Sequence, residues 1–470
     1  MNKTAKKIIL SITGLLVAVI VAFGVFVGIR CSDLSKEYKP PIVDSEELNV
    51  LTESLFSQYK DRYNVLTKLP YSIPDEDLDV WAKSVIVLNA SNGNILYERN
   101  ADEVIPPASM TKLFAMYVVD EEVSKGNLSY DQIIPLPEES WACNMPPRSS
   151  LMFLGEGQRV TLEELLLGLS ICSGNDAAYA LAYTVCGTME AFVERMNQVA
   201  VDLGLEHTHF VESSGYSELN TTTPREMAKF ATVYLKNHPD SLKRFHSVES
   251  FTYPKKQNLA PGDILQAQDF SQGFPRHITM PITQENTNPL LGKLRGCDGL
   301  KTGYIDESGY NLALTACRNG TRYISVTMRG PGNNMNEGQA GRVHDGTNIM
   351  EWAFRNFANY QVGSYMKPYF VKSYNGSEKG LNLIPAFTEE CITVPYVTGV
   401  TMEENLENVK VTIDIPEYTW GTVEAGETLG SIKITLGSYV LDEIPLVADR
   451  NIEESNFMNA IADKIYLLFQ

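Results

Sequence analysis

From Ile8 to Ile29 the chain carries no charged residue. A run of that length can cross a hydrocarbon core of ~30 Å as a helix. Lys3, Lys6 and Lys7 precede it with no acid among them, which favours a cytoplasmic N-terminus. The run is long for a signal-peptide core, and no small-x-small cleavage site follows it cleanly. Cys31 comes directly after Arg30, whereas a lipidated cysteine follows a small residue. Residues 1–30 are therefore expected to be a cytoplasmic tip and a single transmembrane anchor, in preference to a cleaved signal. Either way, whatever folds beyond Arg30 folds outside the membrane.

The 470 residues are enough for two or three domains. A formal charge of −19 argues against a nucleic-acid partner, which needs clustered Lys and Arg, and suits a solvated, exported enzyme. Seven cysteines include no C-x-x-C pair, so a zinc or redox motif is not expected. An oxidising compartment would permit disulfides, and several pairings stay open. His277 and His344 have no partners at ligand spacing, so no metal and no cofactor is expected.

Residues 31–79 are polar and acidic, with a helical patch near Leu51 to Tyr63, and read as a stalk or linker. Ser84-Val85-Ile86-Val87-Leu88 then reads as a strand, Asn92-Gly93 as a hairpin turn, and Asn94 to Glu98 as the returning strand. Residues 161–203 alternate helical patterns with short breaks, one of them at Ser173-Gly174-Asn175. Thr223-Pro224-Arg225-Glu226 combines a capping box with proline at the first helical position, ahead of a helix to about Leu235. Residues 239–282 show no strong period and read as an irregular excursion. Gly309 to Cys317, Asn319-Gly320, and Arg322 to Met328 form a second hairpin pattern. Asn348 to Phe357 returns to helix.

Strands at both ends with helices between them predict an α+β fold over residues 80–360. Its single antiparallel sheet has outer strands distant in sequence and a helical lobe inserted. Residues 361–451 read as a separate small β domain, with strands at Val409–Ile413 and Ser431–Thr435. Residues 452–470 have apolar positions at helical spacing, among them Phe457, Ile461, Ile465 and Leu468. They suit a second membrane contact or a helix packed on its own domain. The surplus of Glu453, Glu454 and Asp463 over Lys464 favours packing.

The chemistry sits in three short motifs. Pro106 and Pro107 halt a loop just ahead of the apolar run that Ser109 opens. On a helix Ser109 and Lys112 share a face, and a hydroxyl beside an amine in an apolar pocket suits a nucleophile and its base. Ser-x-x-Lys alone is weak, since it recurs at Ser57/Lys60 and Ser364/Lys367. Ser173-Gly174-Asn175 in a helix break and Lys301-Thr302-Gly303 at the head of a strand give it weight, because each falls in its confirming context. Acyl transfer needs a nucleophile, a base, an acid for the leaving amine and an oxyanion site. Ser109 is the candidate nucleophile. Lys112 is the candidate base, made neutral by burial and by a second cation, Lys301. Ser173 can pass a proton to the departing nitrogen, Asn175 can hold Lys112 and the substrate amide, and Lys301 with Thr302 suits a terminal carboxylate.

These motifs resemble the penicillin-recognising serine enzymes, and within them the low-molecular-mass D-alanyl-D-alanine carboxypeptidases. The likeness lies in Pro107–Lys112, Ser173–Ala178, Asn286–Leu291 and Asp298–Gly303, with a fainter one at Ala425–Gly430 and Ile444–Val447. It implies a β-lactamase/transpeptidase-like core plus the small C-terminal β domain. It implies catalytic Ser109, Lys112, Ser173 and Asn175, and substrate-binding Lys301, Thr302, Gly303 and Tyr304, with backbone amides of Ser109 and Tyr304 as oxyanion donors. The implied substrates are peptidoglycan stem peptides, the implied covalent inhibitors β-lactam antibiotics, and the implied place the outer face of the cell membrane. Tyr304 and Ile305 depart from the family, which often has His or an aromatic residue and then Thr. A β-lactamase is disfavoured because no Glu-x-x-x-Asn lies between Asn175 and Lys301. A transpeptidase is disfavoured by the short segment before the nucleophile, and a non-catalytic wall-binding protein by the intact Ser109, Lys112 and Lys301.

Overall fold

A computed structural model of the chain describes residues 3–40, 43, 45–60, 66–73, 78–397 and 399–470. The end of the expected helical patch, residues 61–63, lies outside the described residues. Two compact units divide the chain. One comprises Asn64–Asn359 and Thr393–Met402, the other Met1–Tyr63, Tyr360–Ile392 and Glu403–Gln470.

The first unit is built on a six-stranded sheet. In chain order its strands are β1 (Thr67–Lys68), β2 (Ser84–Asn89), β3 (Asn94–Arg99), then β6 (Cys297–Ile305), β7 (Gly309–Arg318) and β8 (Thr321–Gly330), after a separate ribbon of β4 (Ser250–Tyr253) and β5 (Ile282–Glu285). The spatial order is β1-β3-β2-β8-β7-β6, so β2 pairs with a strand that follows it by more than two hundred residues, from Ser84↔Met328 to Asn89↔Tyr323. All contacts are antiparallel except β1 on β3. The β7–β8 turn has positive φ at both Asn319 and Gly320, the twist-matched geometry that an Asn-Gly pair adopts readily.

Every residue of β2 is buried, which explains its continuous apolar character. Ile86 and Leu88 enter one core with the helical lobe, and Val85 and Val87 enter another on the opposite face. The lobe comprises α3 (Lys112–Ser124), α4 (Leu162–Leu167), α5 (Asn175–Cys186), α6 (Met189–Asp202) and α7 (Pro224–Asn237), numbered after α1 (Lys3–Leu34) and α2 (Ser45–Gln58). The second face is covered by α8 (Met335–Asn356), through Ile349, Trp352 and Ala353.

Three local expectations need correction. Helix α8 starts at the Asn334 cap, well before Asn348. The segment is rich in glycine, which lowers helix propensity, yet the glycines serve close packing. A Cβ on Gly338 would lie 2.1 Å from the Tyr310 ring, and one on Gly346 would lie 2.4 Å from Leu290. At α7 the Thr223 hydroxyl accepts the Glu226 amide at 3.1 Å, but Glu226 does not close the box. Its carboxylate takes the His207 amide at 3.0 Å and the Thr208 hydroxyl at 2.6 Å. The 239–282 excursion is partly ordered, because β4 and β5 pair antiparallel. Between them Phe270 and Phe274 close on Phe153.

In the second unit a six-stranded sheet includes Val409–Asp414, Thr428–Leu436 and Tyr439–Ala448 as neighbours. Ile432, Ile434 and Leu436 alternate into its core. Leu51 and Leu55 of α2 are buried. Helix α1 is the one span among the described residues long and apolar enough to cross a membrane. Its last turn reaches the C-terminal helix Phe457–Leu467, where Arg30 donates to Asp463 at 2.8 and 3.0 Å and Leu34 packs with Tyr374 and Tyr466. Asp463 is fully buried and also accepts the Asn375 amide at 2.7 Å. Removing Arg30 would strand that carboxylate, at a cost of ~3–5 kcal/mol. The C-terminal helix thus packs on its own domain, although Phe457, Leu468 and Phe469 remain exposed.

Candidate active site

Ser109 lies in a single 3-10 turn, Ala108–Thr111, that leads directly into α3. In a 3-10 turn residues three apart eclipse, so Ser109 and Lys112 align and Lys112 Nζ reaches Ser109 Oγ at 3.1 Å. The turn opens on Ala108 at φ +49, a left-handed conformation that costs a non-glycine residue ~1–2 kcal/mol. Two glycines press against this point. A Cβ on Gly215 would lie 1.9 Å from the Ala108 carbonyl oxygen, and one on Gly303 would lie 2.5 Å from the Pro107 carbonyl oxygen. Glycine in the third motif therefore lets β6 pass alongside the Ser109 backbone.

Lys112 is wholly buried and donates to three acceptors: Ser109 Oγ, Asn175 Oδ1 at 2.8 Å and the Ser214 carbonyl at 2.5 Å. Burial lowers its pKa to about 7, against the opposing pull of Glu212 and Asp176. The expected repulsion between the two buried amines is felt at Lys301. Lys301 is held well below its ordinary value by burial first, and then by the charges of Lys112 and Arg342. Lys301 Nζ donates to Ser173 Oγ at 3.0 Å and to the Thr302 carbonyl at 3.2 Å.

Ser173 ends a π turn, Gly168–Cys172, in the left-handed conformation at φ +57, and α5 begins two residues later. Gly174 has no room for a side chain, since its Cβ would meet Asp176 Oδ1 at 2.7 Å. Asn175 spans the site, accepting from Lys112 and donating Nδ2 to Ser149 Oγ at 3.1 Å. Behind it the buried Asp176 carboxylate accepts the amides of Met152, Phe153, Leu154 and Ala177 at 2.8–3.1 Å. Burial pushes its pKa up, and those amides oppose the shift.

The eight side chains and backbone positions singled out in the sequence come together here, but in two layers. Ser109, Asn175 and Tyr304 line an open cleft of about 260 Å³, with Arg148, Tyr216, Glu218, Asp306 and Glu307 around them. Lys112, Ser173, Lys301, Thr302 and Gly303 are buried behind that surface. Tyr304 stacks on Tyr310 with ring centres 4.3 Å apart and donates to Asp306 at 2.7 Å, a bond that pushes its pKa up to about 12. Cys31, Cys143, Cys172, Cys186, Cys297 and Cys317 form no disulfide, and burial pushes the Cys172 thiol beside Ser173 up to about 12.

Several contributing residues were not legible as such. Thr287 accepts the Thr302 hydroxyl at 2.8 Å. The buried Arg342 guanidinium donates to the Gly303 carbonyl at 2.6 Å and the Asn311 carbonyl at 3.1 Å, and burial lowers its pKa to about 10. It sits on the part of α8 that the sequence pattern omitted. Thr287 belongs to the Asn286–Leu291 segment already singled out, so a signal for it existed.

Residues 72–332 match the family described as D-alanyl-D-alanine carboxypeptidase, Peptidase S11. Residues 360–454 match the family described as penicillin-binding protein 5, C-terminal domain. The chain is 26% identical over 422 residues to D-alanyl-D-alanine carboxypeptidase DacA of Escherichia coli K12, covering 89% of this chain and 94% of that one. It is 27% identical over 379 residues to DacF of Bacillus subtilis 168, covering 80% and 87%. The crystal structure of penicillin-binding protein 5 from Haemophilus influenzae superposes with a TM-score of 0.64 at 26% identity, covering 82% of this chain and all of that one. A serine–lysine pair seated between an antiparallel sheet and a helical lobe marks the chain as a serine-type hydrolase of the penicillin-recognising class. Within that class it belongs to the D-alanyl-D-alanine carboxypeptidase family, Peptidase S11.

Proposed function

We propose that residues 80–360 remove the terminal D-alanine from peptidoglycan stem peptides through an acyl-enzyme on Ser109. The observation that carries this reading is the 3.1 Å contact between Ser109 Oγ and a buried lysine whose pKa lies near 7. Neutral Lys112 takes the hydroxyl proton as Oγ attacks the carbonyl carbon of the penultimate residue. Backbone amides of Ser109 and Tyr304 stabilise the oxyanion. As the C–N bond breaks, Ser173 gives its proton to the leaving nitrogen, and Lys301, hydrogen-bonded to Ser173, restores it. The Lys112 ammonium passes the proton taken from Ser109 by way of Ser173 to the now neutral Lys301. Water then cleaves the ester, with neutral Lys112 accepting the water proton and returning it to Ser109 Oγ as the C–O bond breaks. Lys301 and Thr302 bind the terminal carboxylate, which supplies a counter-charge to Lys301, an amine with no ion pair among the described residues.

The length and apolar character of α1, and the lysines ahead of it, support a single-pass protein with its catalytic part outside, where this substrate lies. β-Lactams are the covalent inhibitors expected for such a serine. The test is D-alanine release from an acyl-D-Ala-D-Ala peptide. Release by the native protein and none by Ser109→Ala is expected; retained release by the variant removes Ser109 from the reaction.

A further inference from the structure

Lys112 has one partner outside all three motifs, the Ser214 carbonyl. That carbonyl belongs to a turn over residues 211–217 organised on a single carboxylate. Glu212 Oε2 accepts the Ser214 amide at 2.7 Å and its hydroxyl at 2.5 Å. Oε1 accepts the Gly215 amide at 2.7 Å and Asn220 Nδ2 at 2.9 Å. The buried Asn220 side chain also donates to Thr111 Oγ1 at 3.2 Å, which ties the turn to the residue just before Lys112. Gly215, at φ +79, brings the same turn onto the Ala108 carbonyl.

The charges facing Lys112 come from three elements. Glu212 lies on this turn and Asp176 on α5, and both favour the ammonium. Lys301 lies on β6 and opposes it. A general base works best when its conjugate acid titrates near the working pH. Burial without those acids would take the Lys112 amine lower and leave it a weaker base.

We propose that Glu212 is a positioning residue for acyl transfer: it folds the turn that sets the Ser214 carbonyl on the Lys112 amine, and its charge strengthens that amine as a base. This rests on the roles of Ser109 and Lys112 proposed above. Glu212 lies in none of the motifs that carry the family likeness, and it acts through Lys112 without touching substrate.

The test measures the rate of Ser109 acylation by benzylpenicillin against pH, from about 5 to 9, with circular dichroism as the check on folding. Glu212→Gln keeps the size and removes the charge. Its plateau rate should fall about tenfold, and its acid limb should move to lower pH by about half a unit or more. An acid limb that superimposes on the native one after scaling overturns the proposal, because a merely structural defect lowers the plateau without moving the limb. Glu212→Asp keeps the charge and shortens the reach. It should lower the plateau and leave the limb in place, and a native plateau in this variant overturns the proposal even if the glutamine variant fails to fold. A native protein that benzylpenicillin does not acylate contradicts the reading of Ser109 instead.

Discussion

Behind Ser109, Lys112 and Lys301 have almost no exposed surface, and every polar atom described above has a partner. In front of it, the Arg148–Asp306 pair spans 3.4 Å with 77% and 61% of the two side chains exposed. The same charge types thus meet opposite conditions a few residues apart. Water screens the rim, so its charges steer and select more than they hold. Desolvation dominates the wall, so its charges have shifted pKa values and small changes of geometry are felt strongly. On the reading proposed above, reaction class belongs to the wall and substrate preference to the rim, which Tyr304 and Ile305 help to line.

That contrast breaks first at Ser109 and Lys112. Lys112→Arg keeps a positive charge but cannot supply a neutral base, and its rate of D-alanine release should fall by ~10³ or more. A fall of less than about tenfold would place the base elsewhere. Next comes the close backbone approach. Gly303→Ala puts a methyl group 2.5 Å from the Pro107 carbonyl oxygen. It should destabilise by ~1–3 kcal/mol, measured by thermal unfolding, and depress acylation more than tenfold; a silent substitution would mean that β6 and the Ser109 turn move apart freely.

The pH profile sharpens the same point. Lys112, lowered to about 7, is protonated below that value and cannot accept the Ser109 proton. The acylation rate should therefore fall about tenfold per pH unit below the midpoint and level off above it. A flat profile between about pH 5 and 8 would mean that no such lysine is involved. The smallest effect belongs to the rim. Asp306→Asn removes an exposed ion pair and a Tyr304 contact, and should change the rate constant of acylation less than about threefold while altering KM among peptides that differ upstream of the scissile bond. A large fall in the rate constant would assign this carboxylate to the wall.

What could be read without coordinates followed from local chemistry. The Asn92-Gly93 and Asn319-Gly320 turns, the β-branched strands and the proline-led Thr223 cap announce themselves within a few residues. The three motifs did so jointly, because each also fell in the right kind of element. Two kinds of feature did not. The first half of α8 hid behind glycines that read as weak helix formers, because their purpose is contact with Tyr310 and Leu290, far away in sequence. Ser214 and Arg342 hid because their partners are a lysine and backbone carbonyls on other elements, and Glu212 because its carboxylate accepts from the amides of its own turn and from Asn220.

The central claim is that one serine, activated by the amine beside it, carries the acyl group. Intact-protein mass spectrometry after brief exposure to benzylpenicillin, followed by peptide mapping, tests it most directly. A single adduct on the peptide bearing Ser109, absent from Ser109→Ala and slow to form in Lys112→Arg, is the predicted result. An adduct that survives Ser109→Ala, or maps to another residue, contradicts it.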